Sequence, residues 1–162
     1  MKLAELYKFV PVLSDGDLNA GVNLDTDSIN MSNFHSCTFL VSLQTIGGAD
    51  GHLYVYSGAT DGACTSALTF KYAFGSAAQG TANCDVLGAE SSTAGPLHLT
   101  NGTYDNYMLI VEVNASDMDI ANGEKWLTMR IIDTDTGATG NVSVTAILEP
   151  RYKSNCSVTA LA

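Results

Sequence analysis

The clearest alternation of apolar and polar positions in the chain lies in residues 52–74. In Leu68-Thr69-Phe70-Lys71-Tyr72-Ala73-Phe74, the residues Leu68, Phe70, Tyr72 and Phe74 fall on one side, and Thr69, Lys71 and Ala73 on the other. A period of two marks a strand with one buried face. His52-Leu53-Tyr54-Val55-Tyr56-Ser57 alternates too, with Leu53 and Val55 pointing one way and His52, Tyr54 and Tyr56 the other. Between the two runs lies Gly58-Ala59-Thr60-Asp61-Gly62-Ala63, which has no apolar periodicity. The pattern predicts a hairpin with a wide loop.

The rest of the chain reads in the same way. Residues 6–13 are apolar around Pro11, which predicts an edge strand or an arm. Residues 14–17 and 25–28 are predicted turns, with a weak strand at 18–24 between them. A short helical turn begun by Ser32 is expected at 33–36, followed by a strong strand at 37–46 whose Phe39, Val41 and Leu43 share a face. Residues 76–95 are rich in Ala, Gly, Ser and Thr and predict a long surface loop holding a short strand. Further strands are expected at 96–100, 107–113, 126–132 and 142–148, that at 107–113 buried on both faces for most of its length. Asn101-Gly102 is a hairpin dipeptide. A helical turn capped by Ser116 is expected at 116–121 and a turn at 133–140. About eight strands and no helical run of ten residues predict one all-β domain over 1–162. It is an antiparallel sandwich or jelly roll, with flexible arms at 1–12 and 151–162.

Composition changes this picture in two respects. Charged residues make up 15% of the chain, well below the usual ~25%. Such a surface suits a protein that lives packed against something, and equally a plain secreted β-domain. The net charge of −10 argues against nucleic-acid binding, which needs clustered Lys and Arg. Four of the seven basic residues, Lys2, Lys8, Arg151 and Lys153, lie near the two ends. If the ends contact a partner, an acidic one suits them; solvated ends with stray charges read the same way.

The first residues lack the apolar core of a secretion signal, and no apolar run approaches the ~18 residues of a membrane span. Synthesis in a cytoplasm is the default expectation. Cys37, Cys64, Cys84 and Cys156 form no Cys-x-x-Cys pair. Cys37 is expected to be a small buried residue. Cys64 and Cys84 could meet in space, but free thiols are the expectation in a reducing compartment.

Candidate chemistry is sparse. Asp133-Thr134-Asp135-Thr136-Gly137 resembles the start of a calcium loop but lacks the third acid and the closing Glu. His35, His52 and His98 sit in no metal-ligand spacing. Nothing in the spacing groups Glu90, Glu112, Glu124 and Glu149 into a glycosidase pair. Five Asn-x-Ser/Thr triplets, at Asn30, Asn101, Asn114, Asn141 and Asn155, carry meaning only in a secreted chain. Neither an enzyme nor a cofactor is expected.

Several phrases together resemble the small acidic virion proteins of tailed bacteriophages. They are Tyr54-Val55-Tyr56-Ser57-Gly58-Ala59-Thr60-Asp61-Gly62-Ala63 followed by Leu68-Thr69-Phe70-Lys71-Tyr72-Ala73-Phe74-Gly75, then Gly102-Thr103-Tyr104-Asp105-Asn106-Tyr107-Met108, Gly123-Glu124-Lys125-Trp126-Leu127-Thr128 and Ala146-Ile147-Leu148-Glu149-Pro150-Arg151-Tyr152. The resemblance implies a structural component of the particle, first of all a decoration (cement) protein on the outer capsid surface. A head-to-tail or tail component is the alternative. It implies the major capsid protein as partner, self-association with trimers favoured, and a virion location after assembly in the host bacterial cytoplasm. The contact candidates are Lys2, Leu6, Lys8, Phe9, Tyr54, Tyr56, Arg151, Tyr152 and Lys153, with 1–12 a detachable anchor. A carbohydrate-binding module using Tyr54 and Tyr56 is the reading from another class, as is a calcium-dependent adhesin-like domain.

Overall fold

A computed structural model describes residues 2–18, 23–133 and 137–162. They contain one short helix, α1 (Lys2–Leu6), and twelve strand segments. These are β1 (Lys8–Asp17), β2 (Leu24–Asp25), β3 (Ile29–Asn30), β4 (Phe34–Leu43), β5 (Gly51–Gly58), β6 (Ser66–Ala67), β7 (Phe70–Phe74), β8 (Ser91–Thr93), β9 (Leu97–Leu99), β10 (Met108–Asn114), β11 (Trp126–Asp133) and β12 (Asn141–Pro150). The first sheet has the order β1-β12-β4-β10-β7-β8. The second runs β2-β11-β5-β6, with β3 also on β11 and β9 also on β5. The strand pairs are antiparallel, so the fold is the expected all-β sandwich.

Alternation along each long strand builds the core. Cys37, Phe39, Val41 and Leu43 of β4 point inward beside Leu109, Val111 and Val113 of β10 and Val142, Val144, Ala146 and Leu148 of β12. Leu53 and Val55 of β5 and Leu127, Met129 and Ile131 of β11 face them from the second sheet. At roughly 1.5–3 kcal/mol for each large apolar side chain buried, this double layer dominates the stability of the fold. Leu68 and Phe70 are buried, and Tyr72 and Phe74 pack against the core, as their alternation requires.

The connections depart from the sequence reading. The runs at 52–57 and 68–74 are not a hairpin: β5 lies in the second sheet and β7 in the first. Only the two-residue β6 folds back on β5, pairing Tyr56 with Ala67 and Ser57 with Ser66. Asn101-Gly102 also turns between sheets, because β9 pairs with β5 and β10 with β4 and β7. Local turn chemistry is the same for both routes; burial of both inner faces decides between them.

Smaller corrections have local causes. Residues 14–17 continue β1 through register shifts after Pro11 and Leu13 instead of turning. Residues 25–28 begin as β2 and bury Thr26 and Ser28. The helical turn near residue 33 is a 3-10 turn, Met31–Asn33, capped by the Asn30 side chain, which accepts from Ser32 N–H at 3.1 Å. The turn expected at 116–121 is two 3-10 turns, Ala115–Asp117 and Ile120–Asn122, the second capped by Asp119 instead of Ser116. β10 is buried on one face; Met108 and Ile110 are half-buried, and Glu112 and Asn114 exposed. In the 76–95 loop the apolar spot Val86-Leu87 makes only an isolated bridge, Leu87 to Gly75, and the short strand, β8, comes after it. The strand expected at 18–24 and the turn at 133–140 fall partly outside the described residues.

Neither end of the chain is a loose arm. β1 is an edge strand paired with β12, and its Val10 and Val12 are buried. The tail at 151–162 forms a 3-10 turn, Lys153–Ser157, and then returns to the body. There Ala160 is buried and its carbonyl accepts the Asn30 N–H at 2.8 Å.

Two stability outcomes follow. Phe39→Ala should cost about 3–5 kcal/mol in urea unfolding, because Phe39 is fully buried at the centre of the first sheet. Deleting residues 1–12 should lower the urea midpoint markedly, since it strips Val10 and Val12 from the core. An unchanged midpoint would mean that β1 is dispensable.

Candidate functional site

Six of the nine contact candidates, Lys2, Leu6, Lys8, Arg151, Tyr152 and Lys153, come together at one edge of the sandwich. α1 packs on the Lys153–Ser157 turn, and the two are tied by Cys156 Sγ to the Glu5 carbonyl at 3.6 Å. Lys8 Nζ donates to the Cys156 carbonyl at 3.3 Å. Arg151 Nε donates to the Phe34 carbonyl at 3.2 Å, and Asn155 Nδ2 to the Asn33 carbonyl at 3.0 Å. A shallow groove of ≈ 280 Å³ runs between Leu6 and Tyr7 on one wall and Arg151, Tyr152 and Lys153 on the other. Leu6, Arg151, Tyr152 and Lys153 line this groove, Lys8 bonds to the turn beside it and Lys2 lies on α1, although roughly 140 positions separate the two halves; Phe9 is exposed on the opposite face of β1 from Lys8.

This surface is unlike the rest of the molecule. Leu3, Leu6, Tyr7 and Tyr152 are exposed, Tyr152 at 73%. Among them stand four basic residues and two acidic ones, Glu5 and Glu149, whereas the rest of the chain carries three basic against fifteen acidic residues. Large apolar side chains rimmed by charge mark contact surfaces more often than solvated ones. Leu3, Tyr7 and Glu149 were not among the contact candidates. For Tyr7 the only signal was its place within the apolar run at 6–13.

Tyr54 and Tyr56 lie elsewhere, on the outer face of the second sheet. Their rings stack on each other, with centroids 5.7 Å apart and planes at 25°. The Arg130 guanidinium lies 5.8 Å from the centre of the Tyr56 ring. It also holds Asp25 in a two-pronged ion pair, Nε–Oδ1 2.5 Å and Nη2–Oδ2 2.6 Å. That hydrogen bonding keeps the Arg130 pKa above its usual value, and burial followed by the neighbouring Tyr54 raises Tyr56. A sugar platform needs open ring faces, and the mutual stack and the guanidinium leave these two tyrosines less of them.

Glu124 was read from sequence only as one ungrouped acid. It is buried, at 5% exposure, and accepts from Ser57 Oγ at 2.5 Å and Ser66 Oγ at 3.0 Å. Both carboxylate oxygens are engaged and Ser57 is fully buried, so the group works as a structural clamp joining β5 and β6 to the turn at 123–125. A second polar clamp joins Ser28 Oγ to Thr128 Oγ1 at 2.6 Å, and Gly62 N–H donates to the same Ser28 oxygen at 3.0 Å.

All four cysteines are free, and Cys37 is fully buried as expected. Burial pushes the Cys37 thiol well up and the Cys64 thiol up, which keeps both protonated at neutral pH. In the stretch that resembles the start of a calcium loop, Asp133 Oδ2 accepts from the Gly137 and Ala138 N–H groups at 2.8 and 2.9 Å. Asp135 lies outside the described residues. No trio of His, Cys, Asp or Glu is placed to hold a metal ion among the described residues, and no helix there is long and apolar enough to cross a membrane. The sequence matches no protein-family model and no characterised protein.

The Glu124 clamp makes a direct prediction. Glu124→Ala should cost about 1–3 kcal/mol in urea unfolding, because the buried Ser57 hydroxyl and the half-buried Ser66 hydroxyl lose their acceptor. Ser66→Ala, at a half-buried position, should cost less; equal costs would show that the clamp is not centred on the carboxylate.

Proposed function

We propose that this chain is a structural protein of a tailed-bacteriophage virion that binds the outer capsid surface and stabilises the shell. The observation that carries the reading is the basic, aromatic surface built from α1, the start of β1 and the 151–157 segment, set on an otherwise acidic body. The phrase-level resemblance to small phage virion proteins points in the same direction. The partner is the major capsid protein, offering an acidic, partly apolar patch. Tyr152 and Leu6 supply contact area, and Lys2, Lys8 and Lys153 supply steering.

A decoration protein works by repeating a modest contact many times over a symmetric lattice. Avidity therefore replaces a single tight site. A preformed surface suits this, since little chain has to be ordered on docking. Self-association, with trimers favoured, multiplies the contact further. The acidic remainder of the surface disfavours nonspecific attachment to nucleic acid in the bacterial cytoplasm where assembly takes place.

Mass spectrometry of purified particles should find the chain at a copy number that scales with the capsid lattice. Its absence, or a handful of copies, would remove the decoration role. The combined substitution Lys2→Glu, Tyr152→Ser and Lys153→Glu should weaken attachment to particles lacking the protein by at least about tenfold. The same variant should unfold within about 0.5 kcal/mol of the parent, because all three side chains are exposed. Undiminished attachment would place the contact elsewhere.

A further inference from the structure

β9 and β5 pair so that His98 stands directly across from His52 on the outer face of the second sheet. His52 Nε2 and His98 Nδ1 are 3.0 Å apart, the ring centroids 4.3 Å apart and the planes at 73°. Two imidazole nitrogens bound to one ion at about 2.1 Å and at a right angle sit about 3.0 Å apart; a tetrahedral pair sits about 3.4 Å apart. In the right-angled arrangement the ring centroids fall about 4.6 Å apart, whereas an N–H···N bond in line with both rings puts them about 5.3 Å apart. The observed 4.3 Å lies below both values and nearer the right-angled one, and the same two nitrogens are within hydrogen-bonding geometry.

We propose that His52 and His98 form a two-imidazole chelate for a late first-row divalent cation, taking Cu²⁺ or Ni²⁺ ahead of Zn²⁺. Neutral imidazole suits these ions, and affinity along the series peaks at Cu²⁺. The right-angled spacing matches the tetragonal preference of Cu²⁺ and Ni²⁺ better than the tetrahedral preference of Zn²⁺. His98 is exposed and His52 half-buried, so water reaches the remaining coordination positions. No third His, Cys, Asp or Glu completes the set among the described residues. The ion would join β9, a three-residue strand, to the long strand β5. This inference rests on the histidine geometry alone and is independent of the virion reading.

The full chain should be titrated with CuCl₂, NiCl₂ and ZnCl₂ by calorimetry, with thermal melting in parallel. One Cu²⁺ per chain is expected, bound more tightly than Ni²⁺ or Zn²⁺, with two nitrogen ligands in its electron paramagnetic resonance spectrum and a raised Tm. His98→Asn and His52→Asn should each weaken Cu²⁺ binding by at least about tenfold, and the double variant little further, because a chelate is lost with either arm. His35→Asn, on β4 of the other sheet, should change nothing. His98 is exposed, so His98→Asn decides the matter if His52→Asn folds poorly. Absence of Cu²⁺ binding, binding unaffected by His98→Asn, or an equal loss from His35→Asn would each overturn the proposal. The pair would then be a hydrogen bond only.

Discussion

The constraint on which the structure depends is that neither sheet can stand alone. β4, β10 and β12 present an apolar inner face, and so do β5 and β11 through Leu53, Val55, Leu127, Met129 and Ile131. Each is stable only with the other laid against it, because an exposed face of that size would forfeit the main favourable term in folding. The route of the chain follows from this need. Between β4 and β12 it crosses from one sheet to the other repeatedly, so neighbours in sequence are mostly not neighbours in a sheet. Contacts of long sequence separation then carry the fold, and the two ends of the chain meet at one edge.

That meeting creates the most distinctive surface of the molecule. A protein with fifteen acidic residues outside this edge and four of its seven basic residues within it is electrostatically polarised. The exposed Leu6 and Tyr152 add apolar area beside that charge. Strong charge complementarity raises the rate and selectivity of encounter, while buried aromatic area governs how long a complex lasts. The edge holds the means for both. Its backbone is fixed by β1–β12 pairing and by the bonds from Arg151, Asn155 and Lys8, so it meets a partner already formed.

Polar groups inside the sandwich work in the opposite way, by closing on themselves. Glu124 with Ser57 and Ser66, Ser28 with Thr128, and Asp133 with Gly137 and Ala138 each satisfy their hydrogen bonds locally. A buried carboxylate held by two hydroxyls fixes the β5–β6 corner. The two buried acids, Glu124 and Asp133, thus act as a clamp and a turn closure.

Strand existence was legible in the residues because alternation is a local property. Leu53/Val55, Phe39/Val41/Leu43 and Val142/Val144/Ala146/Leu148 each declare a buried face without reference to anything distant. The skewed charge and the concentration of Lys2, Lys8, Arg151 and Lys153 toward the ends were equally plain. Partnership was not legible. A turn such as Asn101-Gly102 fits a hairpin or a crossing between sheets, and only the demand that both inner faces be covered chooses between them. For the same reason His52 and His98, Asp25 and Arg130, and Leu6 and Tyr152 carry no mutual signal along the chain. They lie near one another because strand register and sheet packing, set by the whole core, bring distant positions to one place.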